Sequence, residues 1–230
     1  STGGDITIEG GFFQTDYSWN GKYYVLNQNN SNPGTITVKG GTFVNYDPSK
    51  GDDNLGGTFV ASGYSVISEK HGEDTWYTVV KGTGVTAGTQ EALKDALTRA
   101  DTTGSNALTV KLADGEYTLY NVDRAKTQNT ELTIEGAGKD KTVFTAGDMT
   151  VTDANGEGSS DYSYEGSDVT FKNMTVNVGT GNYKGFVRAK SLYFENCTIE
   201  GRGSYWGIGS VVFKDCIFNS VNDYNIWTYA

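Results

Sequence analysis

One histidine, His71, stands in a chain of 230 residues, and that count limits the available chemistry first. Ser-His-Asp and Cys-His sites need an imidazole as base, and imidazole-rich metal centres need several. The context Lys70-His71-Gly72 reads as a polar turn, so His71 is expected in an exposed loop rather than in catalysis. Two basic side chains invite a second idea: Arg188, in Gly185-Phe186-Val187-Arg188, and Arg202 could each meet an acidic sugar. A lyase also needs carboxylates grouped beside such a base. None is patterned around either arginine, so the favoured expectation is that each pairs with Asp or Glu of a neighbouring strand.

Oxygen donors give a third possibility. Asp153, Asn155 and Glu157 alternate, Gly158 holds the sixth place and Asp161 the ninth, as at the start of a calcium loop. Tyr164 occupies the twelfth place, where a bidentate Glu belongs. The segment is either a calcium site with those four ligands or a solvated acidic loop. Asp47 to Asn54 is a weaker version, with Lys50 in its middle. Calcium is the one cofactor the sequence admits.

Aromatic residues are the remaining chemical signal. Tyr17, Trp19, Tyr23 and Tyr24 gather in one polar stretch, while Tyr183, Tyr205, Trp206, Tyr224, Trp227 and Tyr229 recur later in the chain. Exposed rings stack on sugars; the competing reading is that they cover or fill a core. Tyr183, Arg188, Tyr205, Trp206 and Trp227 are the candidate ligand-binding residues.

These residues need elements to hold them, and a repeat supplies the elements. Val169-Thr170-Phe171-Lys172-Asn173-Met174-Thr175-Val176 is one copy; 192–199 and 211–218 are two more, with corner residues Asn196 and Asp215. Phe171, Phe194 and Phe213 are spaced by 23 and 19 residues, in the range of solenoid repeats. Alternation sends Val169 and Phe171 to one face, and Asn or Asp then visits the left-handed region and bends the chain. That is a β-helix corner. Ile36 to Phe43 and Ile6 to Phe13 fit the same template with Gly-Gly at the corner; Leu132 to Ala137 and Leu55 to Val60 fit partly. Cys197 and Cys216 take equivalent places, read as stacked thiols, with a disulfide as the alternative if the strands bring them close enough.

Lys81 to Gly88 reads as a linker, and Thr89 to Ala100 as a capped amphipathic helix with Leu93, Ala96, Leu97 and Ala100 on one stripe. The Gly-, Ser- and Asp-rich stretch 145–165 reads as a loop leaving one corner.

Thr89 to Leu119, a helix then a strand and Asp114-Gly115-Glu116-Tyr117, resembles the N-terminal cap of the pectin-lyase-like β-helix superfamily, with Asp114 where Pro is usual. The Phe-x-Asn-Cys and Phe-x-Asp-Cys copies are similar to that superfamily too. The Gly-Gly-Thr-Phe copies resemble repeats in large surface proteins of gut bacteria and their phages. The resemblance implies an all-β, right-handed parallel β-helix with one short N-terminal capping helix. It divides into a Gly-Gly-Phe region over 1–82, read as the end of an upstream β-helix, and a β-helix over 83–230. It is poor for function, since one fold hosts lyases, adhesins and tailspikes. The expected role is a non-catalytic extracellular segment, an adhesin or stalk at a cell or virion surface that binds a glycan or another surface ligand. The alternative is a polysaccharide-active lyase or tailspike.

Charge narrows the partners. A formal charge of −10 repels phosphate backbones, so nucleic acid is excluded, and no run of 18 apolar residues is present to span a membrane. Both ends read as mid-pattern, so the expectation is a fragment of a longer repeat protein.

Overall fold

The computed structural model describes residues 3–29, 31, 34–51, 57–119, 128–145, 151–152, 158–159, 164–178, 187–205, 208–219 and 224–228. They fall into two compact units: 1–84 with 102–105, and 85–101 with 106–230.

The first unit holds β1 (Ile6–Ile8), β2 (Phe12–Phe13), β3 (Ser18–Trp19), β4 (Lys22–Tyr23), β5 (Ile36–Val38), β6 (Thr42–Val44), β7 (Tyr64–His71) and β8 (Asp74–Lys81). β1 pairs parallel with β5 and β2 with β6, so two copies of the template stack in register. Phe13 lies flat on Phe43 at 4.8 Å between ring centroids. The Gly-Gly corners work differently from the Asn corners. Gly40 has ordinary backbone angles, but a Cβ there would lie 2.2 Å from the Glu9 carbonyl oxygen; Gly41 takes the positive φ of 99°. One glycine is required by closeness and the next by conformation.

Beyond β6 no further named strand of this unit pairs in parallel among the described residues. β7 and β8 form an antiparallel hairpin through a turn at Gly72, and β8 runs antiparallel to β6. The echo at Leu55 to Val60 does not behave as a further copy. Val60 bridges Val38 in parallel, whereas the template would put Phe59 in the row of Phe43. Phe59 is nevertheless buried in this unit's core with Val38, Phe43, Tyr46 and Val79.

The segment expected as a linker is a strand, β9 (Thr83–Ala87), because Thr, Val, Thr and Ala alternate along it and its three flanking or internal glycines do not prevent pairing. α1 (Gln90–Leu97) follows, with Thr89 as N-cap, its hydroxyl accepting from the Ala92 amide at 3.2 Å. Leu93, Ala96 and Leu97 are buried; the helix stops before Ala100, which is exposed.

The second unit continues with β10 (Ala107–Leu112), β11 (Gly115–Thr118), β12 (Glu131–Glu135), β13 (Thr142–Thr145), β14 (Val151–Thr152), β15 (Gly158–Ser159), β16 (Asp168–Lys172), β17 (Thr175–Asn177), β18 (Ser191–Glu195), β19 (Thr198–Glu200), β20 (Gly203–Ser204), β21 (Ser210–Lys214), β22 (Ile217–Asn219) and β23 (Ile226–Trp227). One sheet runs β21-β18-β16-β12-β10-β9 and a second β11-β13-β17-β19-β22. The pairs from β10 to β21 and from β11 to β22 are parallel. Each template copy therefore gives one strand to each sheet. β14 and β15 pair antiparallel inside the stretch read as a loop, and β20 pairs parallel with β23.

Registered rows explain the core. Val110, Ile134, Phe171, Phe194 and Phe213 stand opposite one another. Phe171, Phe194 and Phe213 stack at 5.3 and 5.0 Å with planes 15° and 14° apart. Asn173, Asn196 and Asp215 adopt φ of 54°, 52° and 55°, the left-handed corner the template requires. Gln90 closes the β11 end: its amide nitrogen donates to the Thr118 carbonyl at 2.9 Å and its oxygen accepts from the Thr118 amide at 2.8 Å. A side-chain amide thus does for this edge strand what another strand would do. Tyr164, expected in the loop, is fully buried in this core.

Cys197 and Cys216 are both free thiols. Burial pushes the Cys197 thiol up to about 11, whereas Cys216 is only partly buried. Since the thiolate is the reactive form, native protein at pH 8 is expected to give fast labelling of Cys216 alone with a thiol reagent. Cys197 should react only after denaturant is added, and two equal fast phases would contradict this packing.

Candidate functional site

Two surface features could carry function, one in each unit. The first is built by a tight hairpin. Asn20 and Gly21 both take positive φ, 50° and 75°, between β3 and β4, as a type I′ turn requires. The hairpin leaves Trp19 58% exposed and Tyr17 69% exposed. Tyr17, Trp19, Tyr24 and Asn27 line one hollow of about 420 Å³. Trp19 and Tyr24 lie 6.3 Å apart with planes tilted by 52°. Two large rings held in water need a reason, because burial would stabilise each. Flat apolar faces next to an Asn amide match the alternating apolar and hydroxyl faces of a sugar ring. The sequence shows Tyr17, Trp19, Tyr23 and Tyr24 gathered in one polar stretch; that stretch is a hairpin, for which Trp19-Asn20-Gly21-Lys22 carries the turn signal.

The second feature is a groove of about 530 Å³ along the corners of the second unit, lined by Glu135, Lys172, Asn173, Glu195, Asn196 and Asp215. Register makes it. Lys111, Glu135, Lys172, Glu195 and Lys214 face one another across the sheet in strict alternation of sign. Glu195 lies between Lys172 at 3.0 Å and Lys214 at 2.5 Å. Asn196 donates to the Asn173 side-chain oxygen at 2.8 Å, and Asn173 donates to Glu135 at 2.7 Å. Hydrogen bonds from Lys214 and Lys172 hold the Glu195 carboxyl below its usual range. It is therefore ionised at neutral pH and cannot serve as a general acid. Strands about 4.8 Å apart put Glu135 and Glu195 on the order of 10 Å apart, with a lysine between. This is a ladder of opposite charges, not a paired-carboxylate site.

The same ladder sets a pH dependence. Asp168 is lowered as well, by the Ser191 hydroxyl and then by Lys190. A carboxyl depressed in the folded state stabilises above its unfolded value and loses that contribution as pH falls through the folded value. Stability in urea is therefore expected to stay level from pH 7 to 5 and to fall below roughly pH 4.5, the ordinary value for Glu195. Glu195→Gln should flatten that fall; an unchanged slope would show that the ladder is not felt.

The residues named from sequence fall in several places. Arg188 is half-buried between buried Val187 and Ala189. Tyr205 is 4% exposed and meets Phe194 and Phe213 edge-on at 6.3 and 5.5 Å. Its ring belongs to the core, and burial raises its phenol. Trp227 is half-buried against Tyr224 at 5.7 Å, and Arg202 lies over the Tyr224 ring at 5.2 Å. His71, expected in a loop, ends β7 and stacks on Trp76 at 3.9 Å. Tyr183 and Trp206 lie outside the described residues, as do Asp153, Asn155, Glu157 and Asp161. Asp47 accepts from the Ser49 amide and hydroxyl and pairs with Lys50 at 3.3 Å. Among the described residues no group of three or more His, Cys, Asp or Glu could hold a metal ion.

No family model, curated protein or solved structure matches this chain. Among the described residues, mostly parallel sheets with one helix define it as a mostly-β protein.

Proposed function

We propose that the chain is a right-handed parallel β-helix segment of an extracellular surface protein, and that it binds a glycan through the aromatic hollow at Tyr17, Trp19 and Tyr24. The observation that carries the binding role is the pair of rings left 69% and 58% in water, Trp19 next to the Asn20-Gly21 turn and Tyr17 just before the hairpin. Rigid aromatic faces bind with little entropy cost, and the beside-lying Asn27 offers both a donor and an acceptor. The β-helix reading is supported by template copies that each place one strand in two parallel sheets, with left-handed Asn or Asp between. The non-catalytic reading is supported by Glu195, which is clamped ionised between two lysines. Calcium remains part of this proposal only at Asp153, Asn155, Glu157 and Asp161, as a structural ion.

A glycan array probed with the purified protein, with release of reducing and unsaturated sugars measured alongside, tests the reading. Retention of one glycan class without release of sugar is expected. Release of oligosaccharides would replace it with the polysaccharide-active alternative.

A further inference from the structure

The geometry points to an uncharged, soluble chain of pyranose sugars as the ligand of the aromatic hollow, held over two successive rings, with Asn27 reading a pair of adjacent hydroxyls. This inference rests on the glycan-binding reading above and narrows it.

Face alternation builds the hollow. β3 and β4 pair Trp19 with Lys22 and Ser18 with Tyr23. Residues directly opposite in an antiparallel pair share a face, and the next residues along take the other. Carried one place further, the register sets Tyr17 opposite Tyr24, on the face of Trp19 and Lys22. Ser18 and Tyr23 take the opposite face. Tyr17, Trp19 and Tyr24 therefore line one hollow with Asn27.

The two rings set the shape of the ligand. Trp19 and Tyr24 are diagonal neighbours, 6.3 Å apart and tilted by 52°. One flat sugar ring cannot lie against both planes. Two linked rings, turned against each other about their glycosidic bond, can take one plane each. The same tilt rejects a crystalline polysaccharide, whose surface presents its rings in one plane. At about 420 Å³ the hollow lies near the small end of ligand sites, which span about 300–1,000 Å³. It takes a short stretch of chain.

Charge sets the class of sugar. Among the described residues the lining is three aromatic rings and one amide. The charges beside it are opposed: Asp16 precedes Tyr17, and Lys22 faces Trp19, both exposed. Exposed ion pairs contribute little in water, whereas stacked rings contribute more. What an anionic sugar gains at Lys22 it loses at Asp16, on a chain of net charge −10. Stacking therefore decides affinity. Asn27 adds selectivity. It is exposed, and among the described residues nothing hydrogen-bonds its side chain. Its amide offers donors and an acceptor side by side. Two hydroxyls on neighbouring ring carbons are the complement: one donates to the amide oxygen and the other accepts from the amide nitrogen. A site that pairs hydroxyls in this way discriminates against a sugar lacking one of them.

Calorimetric titration with matched soluble oligomers tests this. Glucose, mannose, galactose and N-acetylglucosamine series are set against glucuronic, mannuronic and galacturonic acid series of the same lengths. At least one neutral series should bind, gaining about tenfold or more in affinity from the single sugar to the disaccharide. That affinity should change less than about twofold between roughly 0.01 and 1 M salt, where the Debye length shrinks from about 30 to 3 Å. Asn27→Leu should weaken it about tenfold. Lys22→Ala and Tyr23→Phe should leave it within about twofold. Asn27 is exposed, so Asn27→Leu should melt like wild type; should it not, Asn27→Asp removes the donors without changing the shape. Tighter binding of an acidic series, lost with salt and in Lys22→Ala, would overturn the inference and leave the hollow a glycan site. Trp19-dependent retention on insoluble crystalline cellulose would overturn it in the same way. Unchanged affinity in both Asn27 variants would overturn the reading of the hydroxyl pair. Failure of every series, neutral and acidic, to bind would sink the glycan reading itself.

Discussion

Phe194→Ala is expected to cost about 3–5 kcal/mol of unfolding free energy, the range for emptying a large aromatic site in a core. The ring is wholly buried and sits between Phe171 and Phe213 in a parallel stack, with Tyr205 edge-on. The neighbours are fixed by strand register on both sides, so they cannot close over the gap. Phe213→Ala should cost less, since Phe213 is only partly buried at the end of the row. Urea melts of the two variants read the difference. Equal losses, or a loss near 1 kcal/mol at Phe194, would show that the row does not carry the core.

Gly40→Ala should be the second large effect. One methyl group would sit 2.2 Å from the Glu9 carbonyl oxygen and 2.9 Å from its carbon, both backbone atoms that cannot rotate away. The strands must part, and the β1–β5 pairing is the element at stake. Overpacking of this kind costs roughly 1–3 kcal/mol and more where backbone is displaced. Gly10→Ala, at the same template position, should leave thermal stability within a degree or two, because its Cβ position is open. Two identical substitutions with opposite outcomes would separate steric need from mere composition. A Gly40→Ala variant as stable as wild type would mean that β1 does not pack as described.

Much of this was legible in the residues, for physical reasons that differ by element. The Phe row and its Asn or Asp corners could be read because alternation and left-handed tolerance are local properties. The helix could be read from Thr89 and the Leu93, Ala96, Leu97 stripe, though its last turn could not: Thr98 caps it and leaves Ala100 outside. The charge ladder could not be read. Each of its charges was visible, but which faces which depends on how turns of unequal length, 23 and then 19 residues, bring strands into register. β9 was hidden because glycines suggested a linker, while its pairing in the six-stranded sheet is a tertiary fact.

The ligand candidates show the same limit. Tyr205 recurs with the repeat, and recurrence alone does not say whether a ring faces in or out; the register places it against Phe213. The aromatic hollow rests instead on a local signal, Asn20-Gly21, that fixes a hairpin without any distant partner. Read together with the exposed rings, that dipeptide would have located the site.

The most direct test of the glycan-binding account is a calorimetric titration of the array-selected glycan into wild type, Trp19→Ala and Phe213→Ala. Exposed Trp19 should contribute on the order of 2 kcal/mol, a loss of about thirtyfold in affinity, with no change in melting temperature. Phe213→Ala, in the other unit, should lower stability and leave affinity as it is. Unchanged affinity in Trp19→Ala would contradict the account and move the binding surface away from the hairpin.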